Sequence, residues 1–231
     1  MNAAAPRVLV VGAGGLGCPA LLALAPELAA RGGLLGVIDD DRVELSNLNR
    51  QILHRTEDVG RDKAKSARDA LLRRHPRLHV EAIVARVGDE NANDIVREWD
   101  VVVDGSDSFA SKFLLNDACV RAKVPLVHGG VVQLTGQLMS IVPDVVEAGC
   151  FRCLFEAPPP AGTAPSCSEA GVVGAFAGII GALQAKEALA IVNGAPELAG
   201  TLLVVDGRSD ERRRVRIRPR PGCEAHLREV A

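Results

Sequence analysis

Short apolar runs alternate with amphipathic stretches through the first half of the chain. Residues 7–11, 34–38, 80–84, 101–104 and 125–128 are runs of four or five mainly aliphatic residues that predict buried strands. Between them, residues 16–31, 62–74, 93–99 and 111–123 read as helices. In the second of these, Ala64, Ala67, Leu71 and Leu72 lie on one side. Pro19 suits a first turn, and Pro26 predicts a kink. Strands alternating with helices imply βαβ units and a parallel sheet. The pattern then changes. Residues 131–142 read as a hairpin around QLTGQ, and 157–168 (APPPAGTAPSCS) as a low-complexity loop. Residues 171–192 read as one long helix with Gly171, Gly174, Gly178 and Gly181 on a single face, open to close approach. Residues 202–205 and 211–218 flank Asp206-Gly207 as a last hairpin. The expected fold is one α/β domain over 1–231, with a Rossmann-like sheet, parallel in its first half and antiparallel in its second. A nucleotide-binding half covers about 7–128, and a second half 129–231.

Composition narrows the function classes. The chain has 231 residues, enough to bury a core without disulfides. Its 27 basic and 29 acidic side chains give a net charge of −2, and it has no Tyr, one Trp and five Phe. That balance excludes a basic stripe and an aromatic stacking surface for nucleic acid. The apolar run at residues 8–11 is too short for a signal peptide, and residues 171–183 are too few to span a bilayer. A cytoplasmic protein with no membrane partner is expected, and its six cysteines read as ligands, reactive thiols or fillers rather than disulfides.

Gly12, Gly14, Gly15 and Gly17 stand between a strand and a helix as G-x-G-x-x-G, and Asp39 ends the next strand. This is a nucleotide fingerprint: glycines admit phosphates, a helix N-terminus attracts them, and the carboxylate meets a ribose. By default it indicates NAD or FAD. Ser46-Asn-Leu-Asn-Arg50-Gln51 and Lys63, a cation at a helix start, fit a dehydrogenase poorly. A lysine at a helix N-terminus is electrostatically misplaced unless an anion sits there. Asp104-Gly-Ser-Asp107 closes the fourth strand, at the sheet end where ligands bind in open α/β folds. Two cations and a carboxylate around a phosphate chain indicate a metal-bound triphosphate and nucleotidyl transfer.

With G-x-G-G-L-G, D-x-D, S-N-L-N-R-Q, V-G-x-x-K, D-x-x-D, C-x-x-C and C-S-E-A-G-V in order, the chain resembles the prokaryotic E1-like adenylyltransferases. That group includes the molybdopterin-synthase and thiamine sulfur-carrier adenylating enzymes. The resemblance runs from about residue 7 to 226. It implies ATP-dependent adenylation of the C-terminal glycine of a small ubiquitin-like (β-grasp) carrier ending in Gly-Gly, with release of pyrophosphate. It assigns Gly15 to the phosphates and Asp39 to the ribose. Asn47, Arg50 and Lys63 go to the triphosphate, Asp107 to Mg²⁺, and Asp41, Ser46 and Ser108 complete the nucleotide set. Ser108 stands where the family often has Asn. A homodimer is implied. The family's first helix, whose arginine reaches the partner's ATP, has no counterpart before residue 7, and the absence of a rhodanese-like domain implies a separate sulfur donor. The alternatives are adenylation of a peptide or free carboxylate, an NAD-linked oxidoreductase and a non-catalytic zinc scaffold.

Cys150-Phe-Arg-Cys153 and Cys223-Glu-Ala-His226 are two x₂-spaced chelating pairs, a Cys₃His set for structural Zn²⁺. Cys167, before the long helix, is a candidate nucleophile, since a helix N-terminus lowers a thiol's pKa; the resemblance marks this position as bonding to carrier or sulfur in some members. Cys18 and Cys119 read as fillers. His54, His75, His79 and His128 lack ligand spacing, and His128 is placed either structurally or toward the carrier tail.

Overall fold

A computed structural model describes residues 5–143, 145, 147–159 and 171–227. Eight strands form one sheet in the order β3-β2-β1-β4-β5-β6-β7-β8. The parallel part is β1 (Arg7–Val11), β2 (Leu34–Ile38), β3 (His79–Ile83), β4 (Val101–Asp104) and β5 (Leu126–Val132). The antiparallel part adds β6 (Thr135–Ile141), β7 (Thr201–Asp206) and β8 (Glu211–Arg216). The strand at 125–128 and the first arm of the 131–142 hairpin are one element: β5 runs straight through Gly129 and Gly130 into the turn. β8 closes the sheet as a strand of exposed, mostly charged residues, which discourages edge-to-edge pairing.

Alternation along the strands builds two cores. Val8, Val10, Val101, Val103 and Val127 face α1 (Gly17–Arg31), α2 (Lys63–Arg74) and the long helix. Leu9, Val11, Val102 and Leu126 face the other way. They meet α3 (Ala92–Arg97), α4 (Phe109–Ala122), α5 (Phe151–Leu154) and the α7 turn (Glu224–Leu227). Burial on both faces is why these strands read as continuous apolar runs. In α1, fully buried Leu21, Leu24 and Leu28 form the inward stripe, each contributing about 1.5–3 kcal/mol. The helix continues through Pro26, whose ring lies on its exposed side.

The long helix, α6, spans Gly174–Val192 rather than starting at Gly171, which adopts a left-handed φ of 73° before it. Only two of the glycines proposed as a close-packing face act as one. A Cβ on Gly181 would lie 2.4 Å from Leu16 O, and one on Gly174 2.6 Å from Asn49 O, whereas Gly178 faces open space. By length and composition α6 is apolar enough to cross a membrane. Its Phe176, Ala177, Ile180 and Ala185 are buried in the core it shares with α1 and the sheet.

Candidate functional site

β1 feeds α1 and then β2 and β3 on one side; the chain returns through α3 to β4 on the other side of β1. Strand order therefore reverses between β1 and β4, and their carboxyl ends open a crevice. Gly12, with φ of 91°, makes the turn out of β1, and an added Cβ there would lie 3.1 Å from Gly105 O of the β4 loop. A Cβ on Gly17 would lie 1.7 Å from Gly12 O, so the third glycine closes the turn onto α1. Gly14 has nothing within 4 Å of where its Cβ would stand. No side chain caps α1, and its first turn holds no acid. Cys18 N–H already donates to Gly14 O at 3.0 Å and Pro19 has no N–H, so it is the helix dipole more than a set of free N–H groups that suits this end to an anion.

Around this turn the structure gathers several of the residues singled out above. Asp39 Oδ2 accepts from Ala13 N at 2.7 Å and Oδ1 from Asp41 N at 2.8 Å. The carboxylate thus shapes the turn itself. Burial first of all raises its pKa, against the lowering effect of those two N–H groups. Arg50 lies over Gly15, its Cγ and Cδ each 3.5 Å from a Cβ placed there. Its guanidinium donates only to Asn49 Oδ1 (3.1 Å) and Ser46 O (3.4 Å) among the contacts described. Ser46 donates to Glu44, and Asn47 to Ser46, in the exposed turn Leu45–Asn47.

Lys63 corrects one expectation. It is the first residue of α2, its side chain only 8% exposed, and the anion that compensates it is resident: Asp41 Oδ2 accepts from Nζ at 2.7 Å. The misplaced lysine therefore does not by itself reveal a ligand. Asp41 is 68% exposed, so a more highly charged anion can compete for the ammonium. Ser108 is also occupied, as the N-cap of α4, accepting from Ser111 N at 3.0 Å. Asp107 is exposed just before it. A cleft of about 390 Å³ opens beside this corner, lined by Val87, Asp89, Ser108, Ser111 and Arg152 among others. Cys167 lies outside the described residues.

Two clusters escaped the sequence reading. Beneath the glycine turn, His54 Nε2 donates to Ala13 O (3.1 Å) while Nδ1 meets Ser66 Oγ (2.9 Å). Cys18 Sγ donates to the same carbonyl; the residue is fully buried, and burial pushes its thiol up to about 12. Beneath the β4 loop, buried Asp104 accepts from Lys112 Nζ (2.9 Å), His128 Nδ1 (2.7 Å) and the hydroxyl and N–H of Ser106. Lys112 Nζ also donates to Ser106 O and Gly129 O. Burial alone would raise the Asp104 carboxyl, but Lys112, then His128 and Ser106, hold it well below the carboxylate range. Burial lowers the His128 pKa against the pull of Asp104, so Lys112 carries the compensating charge. His128 therefore faces Asp104 within the core. Lys112, in the first turn of α4, is marked by the same signal that marks Lys63.

On the sheet's other side, Cys150, Cys153, Cys223 and His226 converge, their ligand atoms within 4.8 Å of one another. Cys150 Sγ lies 3.8 Å from Cys153 Sγ and 3.7 Å from Cys223 Sγ. Sulfurs about 2.3 Å from one tetrahedral ion stand about 3.8 Å apart, so the donor set fits zinc. Arg220 N–H and Asn116 Nδ2 donate to Cys153 and Cys150 Sγ at 3.3 and 3.7 Å, as outer partners of metal thiolates do.

Fold and site together define a doubly wound α/β protein with a glycine-rich turn at its switch point and a cysteine–histidine cluster behind it. The profile of the ThiF family matches residues 2–225. A sulfur carrier protein adenylyltransferase of Thermus thermophilus is 46% identical over 220 residues, 94% of this chain and 80% of that protein. The adenylyltransferase and sulfurtransferase MOCS3 of Anopheles gambiae is 45% identical over 94% of this chain. This chain spans only 48% of that relative's length. The chain belongs to the ThiF family. Among solved structures, E. coli MccB with AMPCPP and MccA superposes with a TM-score of 0.79 at 24% identity, over 95% of this chain and 66% of that one. PaaA does so with a TM-score of 0.73, also at 24% identity, over 93% and 65%. At that identity the likeness is one of fold.

Proposed function

We propose that the protein is an E1-like adenylyltransferase that activates the C-terminal carboxylate of a small ubiquitin-like sulfur carrier. The observation that carries this reading is the juxtaposition of Arg50 and the open Gly14–Gly15 turn, in a chain 46% identical to a sulfur carrier protein adenylyltransferase. A carrier carboxylate oxygen attacks the α-phosphorus of ATP, and the bond from that phosphorus to the β-phosphate oxygen breaks. The products are a carrier acyl-adenylate and pyrophosphate. The nucleophile needs no general base; the need is for fixed positive charge where phosphate oxygens gain charge. Arg50 and Lys63 would supply it, Lys63 exchanging Asp41 for phosphate. The α1 N-terminus would take phosphate oxygens, and Asp39 a ribose hydroxyl with the acceptor capacity its two N–H contacts leave. Asp41, Ser46 and Asn47 would border the nucleotide. Mg²⁺, when bound, would shield phosphate charge, and Asp107, an exposed carboxylate at the end of β4, would hold it, with Ser108 fixing the loop behind. Zn²⁺ would sit among Cys150, Cys153, Cys223 and His226 as a structural ion. Cys167 would serve later transfer chemistry, with sulfur from a separate donor, and the working form would be a cytoplasmic homodimer.

The test is ATP–pyrophosphate exchange with and without a β-grasp protein ending in Gly-Gly. Exchange that requires the carrier and its terminal carboxylate is the expected result. ATP binding without exchange, with every such carrier tried, would sink the proposal.

A further inference from the structure

The two residues between the chelating cysteines, Phe151 and Arg152, turn away from the sulfurs and plug into α4. Arg152 Nε and Nη2 donate to the two oxygens of Asp117 at 2.6 and 2.8 Å, and its guanidinium lies 4.9 Å from the Phe113 ring centroid. Phe151 N donates to Asn116 Oδ1 at 2.8 Å. The same Asn116, fully buried, donates through Nδ2 to Cys150 Sγ and to Asp117 Oδ1. The Phe151 ring packs 5.1 Å from Phe113 and 4.6 Å from the His128 imidazole.

From there the contacts run on toward the nucleotide side. His128 binds Asp104, Asp104 binds Ser106, and Lys112 of α4 binds Asp104 together with the carbonyls of Ser106 and Gly129. Ser108 caps the same helix. The loop that presents Asp107 is thus held from below by α4 and by the Asp104 cluster, and both are braced by the segment that carries two metal ligands. A zinc site that merely pinned the C-terminus would not require a buried asparagine shared between a ligand sulfur and α4, or a bidentate arginine beside it.

We propose that Asn116 and Arg152 are positioning residues that couple metal occupancy of the Cys150–Cys153–Cys223–His226 site to the geometry of loop 105–108, so that Zn²⁺ and Mg-ATP strengthen each other's binding. The coupling acts through contiguous contacts and touches no reacting atom. Its nucleotide arm rests on the function proposed above; its loop arm does not. Coupling of this kind is reciprocal: the factor by which zinc improves ATP affinity is the factor by which ATP improves zinc affinity.

The experiment compares zinc-loaded and chelator-stripped protein by amide hydrogen exchange at residues 105–112, and measures zinc affinity with and without Mg-ATP. Zinc removal is expected to speed exchange in this segment. Mg-ATP is expected to raise zinc affinity by about 2- to 30-fold. In Arg152→Leu, with all four ligands intact, zinc still binds 1:1, the Mg-ATP factor shrinks toward one, and KM for ATP rises while KM for carrier holds. A purely structural role would lower the active fraction without that split. Asp117→Asn, which removes the ion pair and keeps the shape, serves if Arg152→Leu does not fold. Exchange at 105–112 that ignores zinc, or zinc affinity that ignores Mg-ATP in a protein that binds it, overturns the coupling. Failure to bind ATP at all overturns instead the proposed function, and the loop response to zinc remains readable.

Discussion

Glycines of one motif do different work, and single substitutions separate them. Gly17→Ala places a methyl 1.7 Å from a backbone carbonyl, which cannot move without reopening the turn. It should unfold the protein or lower its Tm by many degrees. Gly14→Ala meets no protein atom within 4 Å; Tm should hold while KM for ATP rises at least several-fold. Equal Tm losses in both variants would show that Gly14 is structural too. Lys63→Met removes an ammonium whose partner, Asp41, is mostly exposed and can rehydrate. Stability should change by about 1 kcal/mol or less, whereas carrier-dependent pyrophosphate exchange should drop about 10²–10³-fold, the loss expected for one preorganised charge-stabilising donor. Full exchange activity would remove Lys63 from the machinery. Arg50 and Gly15 were legible in sequence because their spacing maps onto a strand, a turn and a following loop. His54 and the closed Asp104 cluster were not, because their partners lie far along the chain, 41 residues from His54 to Ala13 and 24 from Asp104 to His128; of that cluster only Lys112, at a helix start, carries a local signal.

Helices and hairpins show where periodicity suffices and where it misleads. Four glycines three and four apart predicted one packed face; in α6 only Gly174 and Gly181 touch neighbouring backbone, seven residues apart. Gly178→Ala should therefore stabilise the protein by about 0.5–1 kcal/mol, the helix-propensity difference, while Gly181→Ala should destabilise it by more, since its neighbour is Leu16 O at 2.4 Å. Chemical denaturation of the two variants checks the sign of each. The strand expected at 125–128 ends before Gly129-Gly130, whereas β5 runs on through both glycines to Val132. In the sheet Gly129 admits Gln184, whose side chain would lie 2.4 Å from a Cβ there and whose Nε2 donates to Asp104 O and Val127 O, while Gly130 has nothing within 4 Å of its Cβ position. A close side-chain approach, and not a bend, is what Gly129 serves.

Across the whole molecule, buried titratable groups set the response to acid. His54 and His128 are held below their ordinary value of 6.5, in both cases first by burial. Each binds a proton more readily when unfolded, so its contribution is complete above about pH 6.5 and is lost as pH falls toward the folded value. Asp104, depressed by Lys112 and its other partners, adds stability that is complete above about pH 4 and fades on further acidification. Thermal melts should therefore be level from pH 8 to 7 and fall progressively below pH 6.5, before carboxylates begin to titrate. A Tm unchanged between pH 7 and 5.5 would contradict the burial of both histidines. Chelation should act separately: zinc binding energy is folding energy for the segments it joins, so stripping the metal should lower Tm at constant pH, and restored zinc should recover it.

By itself the sequence determined the alternation of strand and helix, the change from parallel to antiparallel sheet, the glycine turn with Asp39, Arg50 and Lys63 around it, and the two chelating pairs. The elements and the chelating pairs are encoded in local spacing, which fixes backbone periodicity and side-chain direction within a few residues, and the site residues stand after strand ends, where open α/β sheets bind ligands. Only the tertiary structure decided that Asp41 already neutralises Lys63, that Ser108 is spent as a helix cap, that Asp104, Lys112 and His128 form one buried cluster, and that the segment between Cys150 and Cys153 braces α4. Those facts depend on which surfaces meet when strand order reverses between β1 and β4, a long-range outcome of burying two apolar faces at once that no local spacing specifies.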